Sequence, residues 1–529
     1  MKLINKYIGF LLLSGTLFST SCSDSFLQRD SLTDTSNETF WQTADDALMG
    51  LTACYAGLQD NQLYNSDQYS LGPLYMDCIT DNGGHFNWSG WIEGFDVAMG
   101  VHSPSSGIFS AYWSSCYEVI NRCNSLLANI DQIDMAAETK AVYKAEAMTL
   151  RALIYCNLTS LYRDVPYITA PQSITDAQCE KTDRATIVSG IMNDLKEAIS
   201  VLPATADLGR ITKGAAQALL GRIALYNEKW EDAISAYKGV MEMNYSLYDD
   251  YSTLFTTAGE NSSEIIWSVR YEGPGLSEGA AYNGHWNTPL EALNGTVDLA
   301  DAFYCTNGKP TTDKKIGEPN VDGSTDVNKP NAARYNDRDP RLYATLFVPG
   351  MLWNGKGGEG NWYGGASASY STVYVYKYFN PSDVSNSFDN GQDFYLIRYS
   401  EVLLSLAEAL VQKGGYSFSE VTGLINQVRR RVDMPTVESV EGTGLSQFEL
   451  LEVIKHERRV ELAFEGLRLF DLYRWKELDK AVKNIENERV ANGFNYEKRI
   501  FNGERDYVWP IPTSELDTNK KLVQNDLWK

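Results

Sequence analysis

Histidine is scarce in this chain, with four in 529 residues, and the usual catalytic signatures are missing. No His-Glu-x-x-His pair occurs, which removes the common zinc-protease pattern. No Gly-x-Ser-x-Gly elbow and no Gly-Lys-Ser/Thr loop occur, which removes the common hydrolase and phosphate-binding patterns. Basic residues are also few: 46 Lys and Arg against 69 Asp and Glu give a formal charge of −23. That balance argues against nucleic acid, whose binding rests on Lys and Arg contacts to phosphate. It argues less strongly against anionic glycans, because a local basic pocket survives a negative total. Eight cysteines are present without Cys-x-x-Cys spacing. Beyond Cys22 an odd number remains, at 54, 78, 116, 123, 156, 179 and 305, which reads as neither a disulfide framework nor a zinc site. Cys116 and Cys123 fall in one expected helix with Cα atoms about 10 Å apart, too far to bridge. Most of these thiols are expected as small buried apolar groups. No metal and no cofactor is expected.

Long apolar runs are confined to the N-terminus. Lys2 and Lys6 precede an apolar stretch from Ile8 to Phe18, and the small residues Ser19, Thr20 and Ser21 lead to Cys22. This is the layout of an export signal, since a membrane span needs about 20 apolar residues. A Cys directly after small residues resembles a lipoprotein processing site, at which lipidated Cys22 becomes the new N-terminus. Ser19 stands where Leu is usual. With 43% hydrophobic residues, the remainder has ample material for a packed core.

Helical periodicity dominates the first half, at roughly 43–59, 108–130, 136–162, 185–201, 213–227 and 230–243, and returns at 399–413, 418–432 and 446–476. Leu220-Gly221, Ala233 and Tyr237 follow the spacing of a tetratricopeptide pair, where close helix contact requires small side chains. Between about 256 and 395 short strand-like runs (Glu264–Tyr271, Thr372–Phe379) alternate with Gly, Asn, Asp and Ser. The expected architecture is mainly α: a tetratricopeptide-like helical-repeat scaffold, about 40–255 and 396–529, carrying an inserted loop-rich region with short strands. Residues 22–529 are expected to form one domain.

The stretch Glu457–Trp475 places Val460, Ala463, Phe464, Leu467 and Phe470 on one helical face. Glu465, Arg468, Asp471 and Arg474 follow three residues apart, as an ion-pair ladder would, and Gly466 marks a kink or helix end. The pattern Glu-Arg-x-x-Glu-Leu-x-Phe-Glu-Gly-x-Arg-x-x-Asp-Leu-x-Arg-Trp resembles the C-terminal block of the SusD/RagB family of outer-membrane nutrient-binding lipoproteins. Tyr507-Val-Trp-Pro-Ile-Pro512 with the Asn519 to Asn525 stretch, Arg398–Ala409, Ile425–Arg429, Phe40–Ala47, Tyr112-Trp113 with Tyr117, and Arg151–Pro166 match the same family in order.

Three loop segments gather aromatic residues among glycines: Asp81–Trp91, Tyr282–Asn287 and Trp353–Tyr363. An indole face packs against the apolar side of a sugar ring while polar neighbours pair with hydroxyls. Asp81, His85, Trp88, Trp91, Trp286, Trp353, Trp362 and Tyr363 are therefore the candidate ligand-binding residues. The resemblance supports that location, because ligand in the family meets aromatics on corresponding loops. Tryptophans 41, 113, 230, 267, 475, 509 and 528 lie in periodic or family-framework contexts and are expected in the core.

The resemblance implies a cell-surface glycan-binding lipoprotein, anchored through Cys22, that delivers oligosaccharide to a TonB-dependent SusC-like outer-membrane transporter over which it sits. Three other readings stand beside it. A surface glycoside hydrolase needs only two carboxylates, which 69 acids do not exclude. Some relatives capture peptides. A helical-repeat adaptor for protein partners would leave the clustered loop tryptophans without a role.

Overall fold

The computed structural model describes residues 40–529 except 66–69, 71, 85–93, 174–175, 277, 282–292, 312–331, 352–372, 380–387, 492 and 494–495. Cys22 lies outside the described residues.

Six long helices build the first half: α1 (Ala44–Ala56), α2 (Gly107–Asn129), α3 (Ala137–Leu161), α4 (Arg184–Val201), α5 (Lys213–Tyr226) and α6 (Trp230–Met241). Each packs on its predecessor in sequence, and α6 then packs on α7 (Tyr399–Lys413), which carries α8 (Phe418–Arg431) and α9 (Gln447–Leu462). Two further helices follow, α10 (Arg468–Trp475) and α11 (Leu478–Ala491). The scaffold is thus the expected helical repeat. Local chemistry explains several boundaries. Thr43 and Ser446 open α1 and α9 as capping boxes with Asp46 and Glu449. The α5–α6 pair packs closely enough that a Cβ on Gly221 would lie 2.6 Å from the Tyr237 ring. Ala233 is fully buried in the same pair.

The helix expected over 446–476 is two helices. Leu462 ends α9, and Phe464 and Gly466 take left-handed φ values of 60° and 72° before α10 begins. Glycine suits that turn twice over, because a Cβ there would also approach Pro73 Cβ at 2.9 Å. The turn redirects the charged residues. Glu465 pairs with Arg398 and Lys377, and Arg468 pairs with Asp81. Of the expected ladder only the contact between Asp471 and Arg474 exists, at 2.8 Å. Within the block Arg458 also pairs with Asp471, at 3.1 Å, while Glu465 and Arg468 reach distant elements.

The C-terminal Trp509 is 1% exposed and meets Phe109, Tyr112 and Tyr162 edge-on at 5.2 to 5.5 Å. Asn525 donates to the carbonyls of Tyr162 and Trp509 at 3.0 and 3.1 Å, tying the chain end to α3. Cys54, Cys78, Cys116, Cys123 and Cys156 are buried free thiols, while Cys179 and Cys305 are half-buried.

Two small sheets complete the fold. β2 (Ile265–Val269) pairs antiparallel with β6 (Phe394–Arg398). β1 (Gly83–Gly84), β3 (Asn294–Gly295), β5 (Tyr374–Val375) and β4 (Leu346–Phe347) form a four-stranded sheet in that order.

Candidate functional site

The four-stranded sheet carries the roots of the three aromatic segments. Residues 85–93 follow β1 directly, residues 282–292 stop one residue short of β3, and residues 352–372 lie between β4 and β5. Gly84 pairs with Asn294, so the first two segments leave the sheet at one end. Phe347 pairs with Tyr374, so both roots of the third lie at the other end. Two-residue strands span about 7 Å and four strands about 15 Å. Segments lying from about 60 to about 260 residues apart in sequence are therefore rooted within a patch the size of an oligosaccharide. His85, Trp88, Trp91, Trp286, Trp353, Trp362 and Tyr363 themselves lie outside the described residues.

Asp81 is described, and it is buried. Arg468 donates from Nε and Nη2 to its two carboxylate oxygens, each at 2.8 Å. Arg459 approaches the same carboxylate at 3.3 Å and donates to the Asp81 carbonyl at 2.9 Å. Burial would raise the Asp81 carboxyl, but Arg459 and Arg468 outweigh it and hold the group below the ordinary carboxylate range. With both oxygens engaged and only 2% of the residue exposed, Asp81 positions the root of the 85–93 segment and does not present its carboxylate to a ligand.

The rest of the root is fixed as firmly. Thr296 donates from its backbone to Asn82 O at 3.0 Å and from Oγ1 to Asp81 O at 2.7 Å, joining β1 to β3. Arg459 Nε donates to Asn82 Oδ1 at 3.0 Å, and Arg499 Nη2 donates to Gly83 O at 2.9 Å. A Cβ on Gly83 would sit 2.8 Å from Asn294 O and 2.9 Å from Cys78 Sγ, so only glycine fits this strand. Beneath it Asp77 accepts from Asn82 Nδ2 at 3.0 Å and from Phe464 N. Burial nonetheless pushes the Asp77 carboxyl up to about 6. Before the second segment, Ala280 exchanges backbone hydrogen bonds with Asn390 at 2.7 and 3.1 Å, and Ala281 N donates to Asn65 Oδ1 at 2.9 Å. Phe347, Tyr374 and Phe379 form a separate apolar cluster at the strands that flank the third.

The clamp arginines Arg459, Arg468 and Arg499 were beyond local sequence reading, because their partners lie about four hundred residues away. Three further expectations change. Trp230, Trp475 and Trp528 are half-buried, while Trp41, Trp113, Trp267 and Trp509 are in the core. Periodicity identifies the inward face of a helix but does not tell a sealed core from the wall of a cleft. His102 and His456 hold structure: His102 lies 3.8 Å from Asp506, and His456 stacks on Tyr304 at 3.9 Å and meets Ala302 O at 2.7 Å. Among the described residues no group of three or more His, Cys, Asp or Glu side chains could hold a metal, and no helix is long and apolar enough to cross a membrane.

A helical scaffold presenting aromatic segments from one small sheet matches known proteins along its length. Residues 263–528 match the SusD family, and residues 26–225 match a family described as starch-binding and associating with the outer membrane. The chain belongs to the SusD family. It is 26% identical to SusD-like protein P25 of Formosa agariphila over 96% of each chain. It is 22% identical to the starch-binding protein SusD of Bacteroides thetaiotaomicron over 76% of this chain and 75% of that one. A crystal structure of a SusD-like carbohydrate-binding protein from Bacteroides fragilis superposes with a TM-score of 0.76 at 26% identity, covering 92% of this chain and all of that one.

Proposed function

We propose that this protein is a non-catalytic glycan-capture lipoprotein of the cell surface, in which one domain, 22–529, binds oligosaccharide on the aromatic segments rooted in the four-stranded sheet. Trp88, Trp91, Trp286, Trp353, Trp362 and Tyr363 supply stacking faces, and His85 supplies a polar partner. Asp81 acts from below, as the buried counter-ion that fixes the first segment. The observation that carries this reading is that the roots of three tryptophan-bearing segments share one sheet about 15 Å across. Rigid strands and buried clamps at the roots reduce the ordering cost of binding. The starch and carbohydrate named for the B. thetaiotaomicron and B. fragilis proteins make a saccharide the first ligand class to try.

Lipidation at Cys22 anchors the protein in the outer membrane, and a TonB-dependent SusC-like transporter takes up the captured glycan. A glycan array probed with the protein, with each bound glycan recovered and sized, tests the reading. Retention of an intact oligosaccharide supports it. Cleavage to smaller products would favour a glycoside hydrolase, and retention of peptides alone would favour peptide capture.

A further inference from the structure

A second cleft, of about 490 Å³, opens where the C-terminal ends of α3, α5 and α10 meet the start of α6. These elements carry none of the three aromatic segments. Its walls are fixed: Trp475 Nε1 donates to Glu408 at 2.8 Å, and Arg474 binds Glu408 and Asp471.

Two other arginines line the cleft without a carboxylate in contact. Arg163 lines the cleft and makes no hydrogen bond and no ion pair among the described residues, and its charge is felt by Glu504 and Arg184. Arg184 donates from Nη2 to Tyr226 O at 3.2 Å, while its buried Nε has no partner. Burial lowers the Arg184 pKa, and Arg163 beside it adds to that effect against the pull of Asp164 and Glu228. In a chain with 69 acids and 46 bases, neighbouring guanidiniums without a contacting carboxylate stand out. The backbone around them is also strained: Arg163, Glu228 and Lys476 have left-handed φ values of 67°, 57° and 57°. Each of the three closes a helix, at the C-terminal ends of α3, α5 and α10, and together they fix the rim of the cleft. Trp230 lines the same cleft half-buried, with no ring stacked on it among the described residues.

We infer that this cleft is a binding site for an acidic saccharide, a sugar bearing a carboxylate or a sulfate ester. The anion bridges Arg163 and Arg184, whose planar forks suit either group, and the apolar face of the sugar ring packs on Trp230. A neutral sugar leaves both guanidiniums unmatched, and a bare anion makes no use of the indole. The volume falls within the range of small-ligand sites.

The test is calorimetric titration of the detergent-solubilised full chain with an oligogalacturonate, a sulfated galactan oligomer free of uronic acid, a neutral galactan oligomer and inorganic sulfate. A Trp88→Ala/Trp286→Ala background weakens capture at the sheet so that the cleft is read alone. The expected result is binding of one or both acidic oligomers in that background, lost by roughly tenfold or more in Arg163→Asn/Arg184→Gln. Asn is chosen because it tolerates a left-handed backbone. Trp230→Ala weakens the same ligands, and the melting temperature of the arginine variant stays close to that of its parent. Binding of only one acidic oligomer identifies which anion the cleft takes. Failure of both acidic oligomers to bind, equal binding by the arginine variant, or inorganic sulfate binding as tightly as the sugars would overturn the inference. Neutral glycan held by Arg163→Asn/Arg184→Gln with intact loop tryptophans reads the sheet site independently.

Discussion

Arg468 grips Asp81 through two hydrogen bonds of 2.8 Å each across 387 residues of sequence. The contact joins the charged C-terminal block to the root of the first aromatic segment. A scaffold helix and a candidate binding loop therefore share one ion pair, with the two side chains 10% and 2% exposed.

Replacing Arg468 by Ala strands the Asp81 carboxylate in a buried site beside Arg459. Removing one partner of a buried pair costs about 3–5 kcal/mol. Chemical denaturation of Arg468→Ala should show a loss of that order, with glycan affinity changed less. Asp471→Ala, which strands Arg458 and Arg474, should behave in the same way. An unchanged unfolding midpoint together with lost binding would place Arg468 in the ligand site.

Buried carboxyls should make the protein more stable in mild acid than in mild base. Burial pushes Glu488 up to about 8, with Asp298 adding to the rise. Burial followed by repulsion from Asp393 takes Glu260 to about 7, and burial takes Asp393 itself to about 6 against the pull of Arg270. Each folded group retains a proton that the unfolded chain releases near its ordinary value of 4.5 or 3.8. Stability is then highest below those ordinary values and is lost as pH rises through the folded ones. At the acid end the sign reverses. Burial would raise Glu457, but Arg341 and Arg429 hold it at about 2, so its contribution is lost as pH falls from 4.5 toward 2. Melting temperature should fall from pH 5 to pH 8, and Glu488→Gln should flatten that slope. An equal slope in the variant would contradict the assignment.

Cys22→Ala should release the protein from the membrane fraction without altering its fold, because the residue precedes α1 by more than twenty residues. Several acyl chains hold a protein stably at a bilayer, and the variant has none. Fractionation in cells lacking the transporter is the clean measurement. Continued membrane association there would remove the lipoprotein assignment.

The helices were legible because the core imposes a period of 3.6 on long segments, and the turn between α9 and α10 was marked by Gly466. The ion-pair partners were not. Three-residue spacing on Glu465, Arg468 and Asp471 suggested neighbours, whereas Glu465 reaches Arg398 and Arg468 reaches Asp81. A buried carboxylate gains most from a guanidinium that can approach it in a two-pronged geometry, wherever that group lies in sequence. The four-stranded sheet was hidden for another reason. Strands of two residues, such as Gly83–Gly84 and Asn294–Gly295, are too short to show alternation, and glycine has no side chain with which to show it. Composition alone marked the three aromatic segments, and only the sheet shows that their roots converge.

The most direct measurement is calorimetric titration of Trp88→Ala, Trp91→Ala, Trp286→Ala, Trp353→Ala and Trp362→Ala with the glycan that binds the parent. A stacking tryptophan should cost about 2 kcal/mol of binding or more. Melting temperatures of these variants should barely move. Trp113→Ala, at a core residue 4% exposed, should instead lose about 3–5 kcal/mol of stability. Trp88→Ala and Trp286→Ala should show the largest binding losses, each indole having a histidine and an asparagine close in sequence. Parent-like affinity in all five variants would contradict the account and leave the sheet as a structural element without a role in capture.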